Sequence, residues 1–597
     1  MGGVIGEERY MFEDLTQYDS LILDYSVMRE FGGTPYFDDL TRTICTSGMD
    51  VYVSKTFKLL HYCILHQADK KDSSSMSSMK LFCAQLLPYK KLHLVQYSST
   101  PEFLDSVKDL PNAVILTSKN GLFTRRLYEY DIDINMPIWV MTKEGIYMFS
   151  GLEEMKETLP RPAVSSLAEQ KIFLDLPVSC NVGDVVRTEA DEPYELSNRM
   201  SGGAEGMVFL TNKKNQVAKI YHKNILTPLR WAKLRRICQI GITANGFCLP
   251  YNLLFYKGYP VGYIMPMGKG VPLGNVFDGP DALLGAFPEW TRIDVVNTLL
   301  ALLEKYLYLH VHNIIAGDIQ LKNALIYSST SVYLIDMDSI QVGNLPCPVG
   351  TEEFTDPNLW GRDFAGFVRD LHDEDYSIAM LVFSVLFCGL HPYATRNGAE
   401  TLREEILNRN FPYDLECEVT EHIPRGGYEY IWRYLSDRLK KMLYNTFKLG
   451  MSYETVEWYD AVIEYKEDLL NRRYKDPEAY KVFPRMDYNQ AEVDITVPDK
   501  EVELQRKKEE AEKKREEAEK RKEEAERKRE EIQKRLGNNI PSNDPFKRQQ
   551  FYTASGRYIP GNDEPDEPAG SEENKAEPES SQDQGKRRGL LGGLFGR

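Results

Sequence analysis

Four polar segments follow one another in fixed order through the middle of this 597-residue chain, and that order restricts its fold more than its composition does. Residues 201–209 read SGGAEGMVF, a glycine-rich hairpin whose small residues let backbone amides approach phosphate oxygens. Ten residues past Phe209 an alternating strand ends in Val217-Ala218-Lys219, and a lysine there reaches toward α and β phosphates. HNIIAGDIQLKNALI then puts Asp318 and Asn323 five apart, in a polar loop between an apolar helix and a short apolar strand. VYLIDMDS sets Asp336 directly after a buried strand, thirteen residues past Asn323. In such a layout one carboxylate orients a substrate hydroxyl, while the amide and the second carboxylate hold a divalent cation against the phosphates. Each segment alone also reads as ordinary structure: a glycine hairpin, a solvated strand lysine, Asp and Asn in turns. Together and in order they predict a site for ATP with Mg or Mn.

A chain of this length exceeds what one core serves, so two or more domains are expected, and 42% hydrophobic residues suffice to pack them. A formal net charge of −17 argues against nucleic acid or an anionic membrane as a partner. The nine cysteines stand singly, without CxxC or Cys-His spacing, so neither zinc nor a disulfide framework is expected. The longest apolar run, 379–390, is too short for a membrane span, and no basic-then-apolar leader opens the chain. These features predict a cytoplasmic protein with reduced thiols.

Over residues 1–160 short apolar strands (18–24, 49–53, 113–117, 138–141) alternate with helices such as 55–66, which predicts a parallel α/β sheet. A linker over 161–192 leads to a second domain, 193–475, with strands first and helices after, as suits a two-lobed α+β architecture. A further linker spans 476–499. Residues 500–536 are almost wholly Glu, Lys and Arg, with Leu504, Ala511, Ala518, Ala525 and Ile532 recurring every seven. One apolar position per heptad leaves two readings open, a lone charged helix held by i,i+4 pairs or a weak coiled coil. Residues 537–597 are rich in Pro, Gly, Asp, Glu and Ser, which predicts a disordered tail. The tail ends in KRRGLLGGLFGR, a basic and apolar motif expected to recruit a protein partner.

The middle domain resembles the eukaryotic-like Ser/Thr protein kinases of bacteria, in particular a divergent group associated with tellurite resistance and stress. The motifs of that group run GGEG, VAK, GD…N and DxDS. The resemblance covers nearly half of the chain, with TDPNL (355–359) in the place of the APE segment and GLHPY in that of the GxxPF ending. It implies Lys219 on the α and β phosphates, Asp318 as catalytic base, and Asn323 and Asp336 as metal ligands. It also implies ATP contacts from Gly202, Gly203 and Gly206 and from a hinge near Met265 and Met267, and it makes Asp375 the buried acid of the family's helix F. The sequence departs from the family pattern in several places. Ser201 replaces the first glycine, Ala316-Gly317-Asp318 replaces HRD, Gln320 replaces a lysine, and DFG reads Asp336-Met337-Asp338. The helix expected over LTPLRWAKLRRICQ carries no acid to pair with Lys219, and Glu205 in the glycine loop is the candidate substitute.

Residues 18–141 resemble a PIN-like domain through SLILDYSVM, VYVSKTFKLLHY and AVILTSKNGLFTRRL. PIN nucleases hold a divalent cation on clustered carboxylates. Asp24 stands at the first such position, no glutamate stands in the second piece, and Thr117-Ser118-Lys119 occupies the third, where a lysine opposes a cation. The expectation is a PIN-like scaffold with a degenerate acidic site, Glu102 and Asp105 being the other acids at hand. Two functions follow: ATP-dependent phosphoryl transfer to Ser or Thr of a protein substrate, or an ATP-binding pseudokinase scaffold that gathers partners through the PIN-like domain and the tail. A nuclease controlled by a kinase-like module is a third.

Overall fold

The computed structural model describes residues 4–5 and 12–486, apart from 57–58, 61–76, 78–80, 87–89, 98, 133, 170–173, 175–178, 243, 400, 417–420 and 476–477. Most of the expected helix 55–66, and all of 500–536 and 537–597, lie outside the described residues.

Seven strands form the first sheet: β1 (Val4–Ile5), β2 (Ser20–Leu23), β3 (Asp50–Ser54), β4 (Leu92–Val95), β5 (Ala113–Ser118), β6 (Ile138–Met141) and β7 (Ile146–Phe149). Their order is β1-β7-β6-β5-β2-β3-β4, with β2 through β6 parallel and β7 and β1 antiparallel at one edge. The central strands read SLIL and AVILTS and are buried along their whole length, as strands covered on both faces must be. The chain works outward from β2 to β4, returns to β5, and works outward again, so the strand order reverses between β2 and β5. Doubly wound sheets open their crevice at that point, beyond the carboxyl ends of the strands. Around it begin α1 (Tyr25–Phe31), α3 (Thr100–Val107) and α4 (Leu122–Glu129), while α2 (Pro35–Ser47) follows α1, and α5 (Leu152–Thr158) follows β7.

Six antiparallel strands then close into a barrel: β8 (Val185–Thr188), β9 (Pro193–Gly202), β10 (Gly206–Thr211), β11 (Gln216–Tyr221), β12 (Asn252–Tyr256) and β13 (Tyr259–Pro266), in the order β10-β11-β13-β12-β8-β9. Leu196, Phe209, Ala218, Leu254 and Ile264 fill its interior. Strand β8 falls in the stretch assigned from sequence to the 161–192 linker, so this domain begins at Val185 rather than 193. Helix α6 (Pro228–Ile240) lies against the barrel, its first turn capped by the Thr227 hydroxyl and its end by Gly241 in the left-handed region.

The helical lobe is built on α7 (Arg292–Val311), α8 (Leu371–Leu386), α9 (Asp437–Tyr444) and α10 (Thr455–Leu470). Its apolar core, with Leu299, Leu303, Val382 and Val462, is continuous with Leu21, Leu23 and Val51 on one face of the first sheet. The two halves therefore share a core. The second linker also needs correction, because Ala479, Val482 and Met486 are buried and the Arg292 N–H donates to the Arg485 carbonyl at 3.0 Å. Residues 479–486 belong to this lobe.

Candidate active site

Lys219 comes off β11 opposite Tyr263 of β13, on the strand face opposite the barrel-filling Ala218. Its ammonium donates to Asp336 Oδ1 and to Asp338 Oδ1, each at 2.7 Å, and Glu205 Oε2 stands 3.7 Å away. Asp338 is 1% exposed, and the Tyr221 hydroxyl donates to its second oxygen. Burial works against this carboxylate, but the charge and hydrogen bond of Lys219 outweigh it and hold the Asp338 pKa down to about 2. Lys219 is the mirror case: burial opposes its charge, yet Asp338 and Asp336 raise its pKa above the ordinary lysine value. Asp336 is 56% exposed at its side chain, and burial of its inner part pushes its pKa up against the pull of Lys219. Its backbone sits at φ +56°, a strained setting for a residue with a Cβ and one that clusters at functional sites.

The lysine's buried counter-ion is thus Asp338, which sequence reasoning noted only as a departure from DFG. The signal was there: an acid directly after Met337, which is buried, inside an otherwise apolar segment. Glu205, the expected substitute, makes the longer contact, and its other oxygen holds Arg230 of α6 at 2.6 Å. The helix that carries the partner acid in kinases therefore presents a cation here, bridged through Glu205. A second cation of α6, the buried Lys233, donates to the carbonyls of Ser339 and Pro346 and ties the helix to the segment after Asp338.

Across the cleft, Asp318 Oδ2 accepts from Gln320 Nε2 at 2.8 Å and Asn323 Nδ2 at 3.0 Å, and Oδ1 accepts from the Thr351 hydroxyl at 2.8 Å. Gly317 explains the missing arginine of HRD. It sits at φ +75°, and a Cβ there would lie 2.6 Å from Cys347 Sγ and 2.9 Å from Arg369 Nη1. The guanidinium comes instead from Arg369, which donates to the carbonyls of Gly317 and Val349. The Gly317 N–H donates to Glu374 Oε1 at 2.8 Å, and Glu374 Oε2 meets His310 Nε2 at 2.9 Å. Glu374 of α8 thus braces the loop that holds Asp318, while Asp375, buried on the same helix, faces the N-terminal domain.

Of the loop glycines, Gly206 is required by close approach, since a Cβ would meet the Ile220 carbonyl oxygen at 2.4 Å. Gly202 faces Met207 Sδ, whereas Gly203 has open space around it. Val208, Val217, Met265, Met267, Tyr333 and Ile335 share one apolar cluster. The Met267 N–H is already bonded to the Asn215 carbonyl at 3.0 Å, so a contact from Met267 would come from its carbonyl or its side chain.

Asn323, through its amide oxygen, and Asp336, through its carboxylate, are hard oxygen donors of the kind Mg and Mn prefer. Among the described residues no three His, Cys, Asp or Glu side chains gather into a metal site of their own, so a cation here would take its other ligands from the nucleotide and water.

At the crevice of the first sheet, Asp24 accepts from Ser26 and, at 2.8 Å, from the Thr117 hydroxyl. The cavity beside it measures about 40 Å³, room for a water or two, and Thr100, Phe123 and Glu454 of the helical lobe line it. Neither Glu102 nor Asp105 lines it; the Asp105 carboxylate pairs with Lys108 at the surface.

No family model matches the chain. Protein kinase YegI of Escherichia coli strain K12 is 28% identical to it over 250 residues, which are 38% of this chain and 37% of that protein. The protein of that name from Escherichia coli O157:H7 is 29% identical over 248 residues, with the same coverage. The chain thus spans little more than a third of the length of these relatives. Among solved structures, a ROP18 kinase domain in complex with AMP-PNP and sucrose aligns at a TM-score of 0.33 and 11% identity, over 49% of this chain and 86% of that one. Among the described residues no helix is long and apolar enough to cross a membrane. By its similarity to the two YegI proteins, the chain is kinase-like.

Proposed function

We propose that the chain binds ATP with Mg or Mn and transfers the γ-phosphoryl group to a Ser or Thr hydroxyl of a protein substrate in the cytoplasm. The observation that supports this reading is the meeting of Lys219 with Asp336 and Asp338 at 2.7 Å, next to the Asp318–Asn323 pair, whose segment is joined to theirs by the Ile335 N–H on the Asn323 carbonyl at 2.9 Å. Lys219 serves the phosphates, Asp338 keeps it charged and aimed, Asn323 and Asp336 hold the cation, and Asp318 receives the substrate proton. The cation, when bound, neutralises charge on the phosphates. Thr351 already rests its hydroxyl on Asp318 Oδ1, so the carboxylate is disposed to receive a hydroxyl of that type. In this reading the first sheet is a PIN-like scaffold without nuclease activity, and the C-terminal basic and apolar motif recruits a partner.

A pseudokinase scaffold is favoured by one observation, the absence of any acid on α6. Labelled ATP with Mg or Mn and a generic protein substrate, given to the full-length chain and to Asp318→Asn, decides between the two. Transfer by the wild type that falls by about 10²-fold or more in the variant, with nucleotide binding kept, supports the enzyme. Equal, low incorporation in both points to the scaffold.

A further inference from the structure

Two adjacent acids in the first turns of α8 face in different directions. Glu374 holds the Gly317 N–H and His310, directly beside Asp318. Asp375 takes a two-pronged bond from Arg126 of α4, Nη1 and Nη2 each at 2.8 Å, and the side chains of both are almost wholly buried. The same guanidinium donates to Glu129 Oε2 at 2.9 Å and lies 3.9 Å from Glu454 Oε2. Glu129 then uses its other oxygen to accept the N–H of Leu371, the first residue of α8, at 2.7 Å. One residue of the N-terminal domain therefore touches carboxylates of α4, α8 and the start of α10, and a second caps α8.

Buried charges of this kind are costly when a partner is removed, because Asp375 would keep only a 3.3 Å bond from the Ser452 hydroxyl and the His372 ring 3.8 Å away. Without Arg126 the first turn of α8 must shift or take up protons, and Glu374 is the neighbouring residue on that turn. We propose that Arg126 is a positioning residue for the candidate base Asp318: through Arg126 the N-terminal α/β domain fixes the first turn of α8, Glu374, and with it the catalytic loop. The role in transfer rests on the kinase reading above; the mechanical link does not.

The test uses the full-length chain with Arg126→Gln, Arg126→Lys and Asp375→Asn, followed by amide hydrogen exchange in peptides over 313–323 and over the barrel strands. The expected result is exchange at Gly317 about tenfold faster or more in Arg126→Gln and Asp375→Asn, with barrel peptides unchanged and partial recovery in Arg126→Lys, which keeps the charge but not the fork. Phosphate transfer falls in the same order while the melting shift with Mg-ATP is kept. Wild-type protection of Gly317 in a folded Arg126→Gln or Asp375→Asn overturns the proposal, as does an equal loss of protection in barrel and loop. Should Arg126→Gln not fold, the isosteric Asp375→Asn carries the same measurement. A wild type that transfers no phosphate removes the kinase reading alone, because the exchange arm still decides the link.

Discussion

The crevice of the N-terminal sheet and the Lys219 site each place an aspartate just beyond a strand, Asp24 after β2 and Asp336 after the strand Ser331–Leu334. Burial pushes both carboxyls above the usual range. Their partners differ. Asp24 meets neutral hydroxyls beside a small cavity that Glu454 helps to line, whereas Asp336 meets an ammonium and keeps half of its side chain open. An acid whose partners are all neutral donors finishes a fold. An acid that shares a cation and faces solvent has something to exchange, for phosphate or metal. The residue type at the strand end is the same, and the counter-charge and the opening decide the chemistry.

The largest expected effect separates the two on stability. Asp338→Ala removes the buried counter-ion of Lys219 and should cost about 3 kcal/mol, since Asp336 remains to soften the loss. Asp24→Ala removes hydrogen bonds to hydroxyls and should cost about 1–2 kcal/mol. Denaturant unfolding of the full-length chain reads both, and the reverse ranking would break the comparison. Next comes ligand linkage. Mg-ATP at 100 times its dissociation constant should stabilise the wild type by about 2.7 kcal/mol, Asp336→Ala by much less, and Asp24→Ala by the full amount. A shift lost in Asp24→Ala would put the nucleotide in the other half of the molecule.

The regions also respond oppositely to pH. The folded Asp338 pKa of about 2 lies below the unfolded value, so its contribution is present above about pH 4 and is lost as pH falls toward 2. Glu457, on α10 beside Glu454, is held up to about 8 by burial and then by the Glu454 charge. A raised acid favours the folded state while protonated, so this contribution is full below about pH 4.5 and fades as pH rises toward 8. Melting curves of Glu457→Gln should be flatter than wild type between pH 5 and 8, and those of Asp338→Asn flatter between pH 4 and 2. The smallest effect concerns Gly203, around which nothing lies within 4 Å. Gly203→Ala should change stability by no more than about 0.5 kcal/mol and act on nucleotide affinity alone, while Gly206→Ala should destabilise the fold itself.

The strands β2 and β5 were legible because a run such as AVIL has nowhere to go except between two layers. Strand β8 was not: VVRT is four residues with alternate burial, followed by a charged turn, and only its pairing with β9 and β12 reveals it. Lys219, Asp318, Asn323 and Asp336 could be named from their order along the chain, whereas Asp338 could not, because sequence shows a charge but not its burial. Glu374 and Asp375 lie one residue apart, about 100° of helical phase, and only the fold shows that the first meets the Gly317 N–H and the second meets Arg126. Sequence alone does not show that the Thr351 hydroxyl rests on Asp318 or that the Thr355 hydroxyl rests on the Thr351 carbonyl. Arg126 meets Asp375 from 249 positions away, a distance no local pattern reports.

Closure of the barrel bears on how the protein would fail. A closed ring of strands offers no row of unpaired amides, so the lobe that carries Lys219 is a poor template for self-association even when loosened. The first sheet is open, and its edge strand β4 shows Leu94 at 41% exposure, with Tyr97 at 45% just beyond it. Aggregates of a destabilised variant should therefore nucleate at β4, and a lysine substituted for Leu94 should improve recovery of weakened variants without touching the cleft.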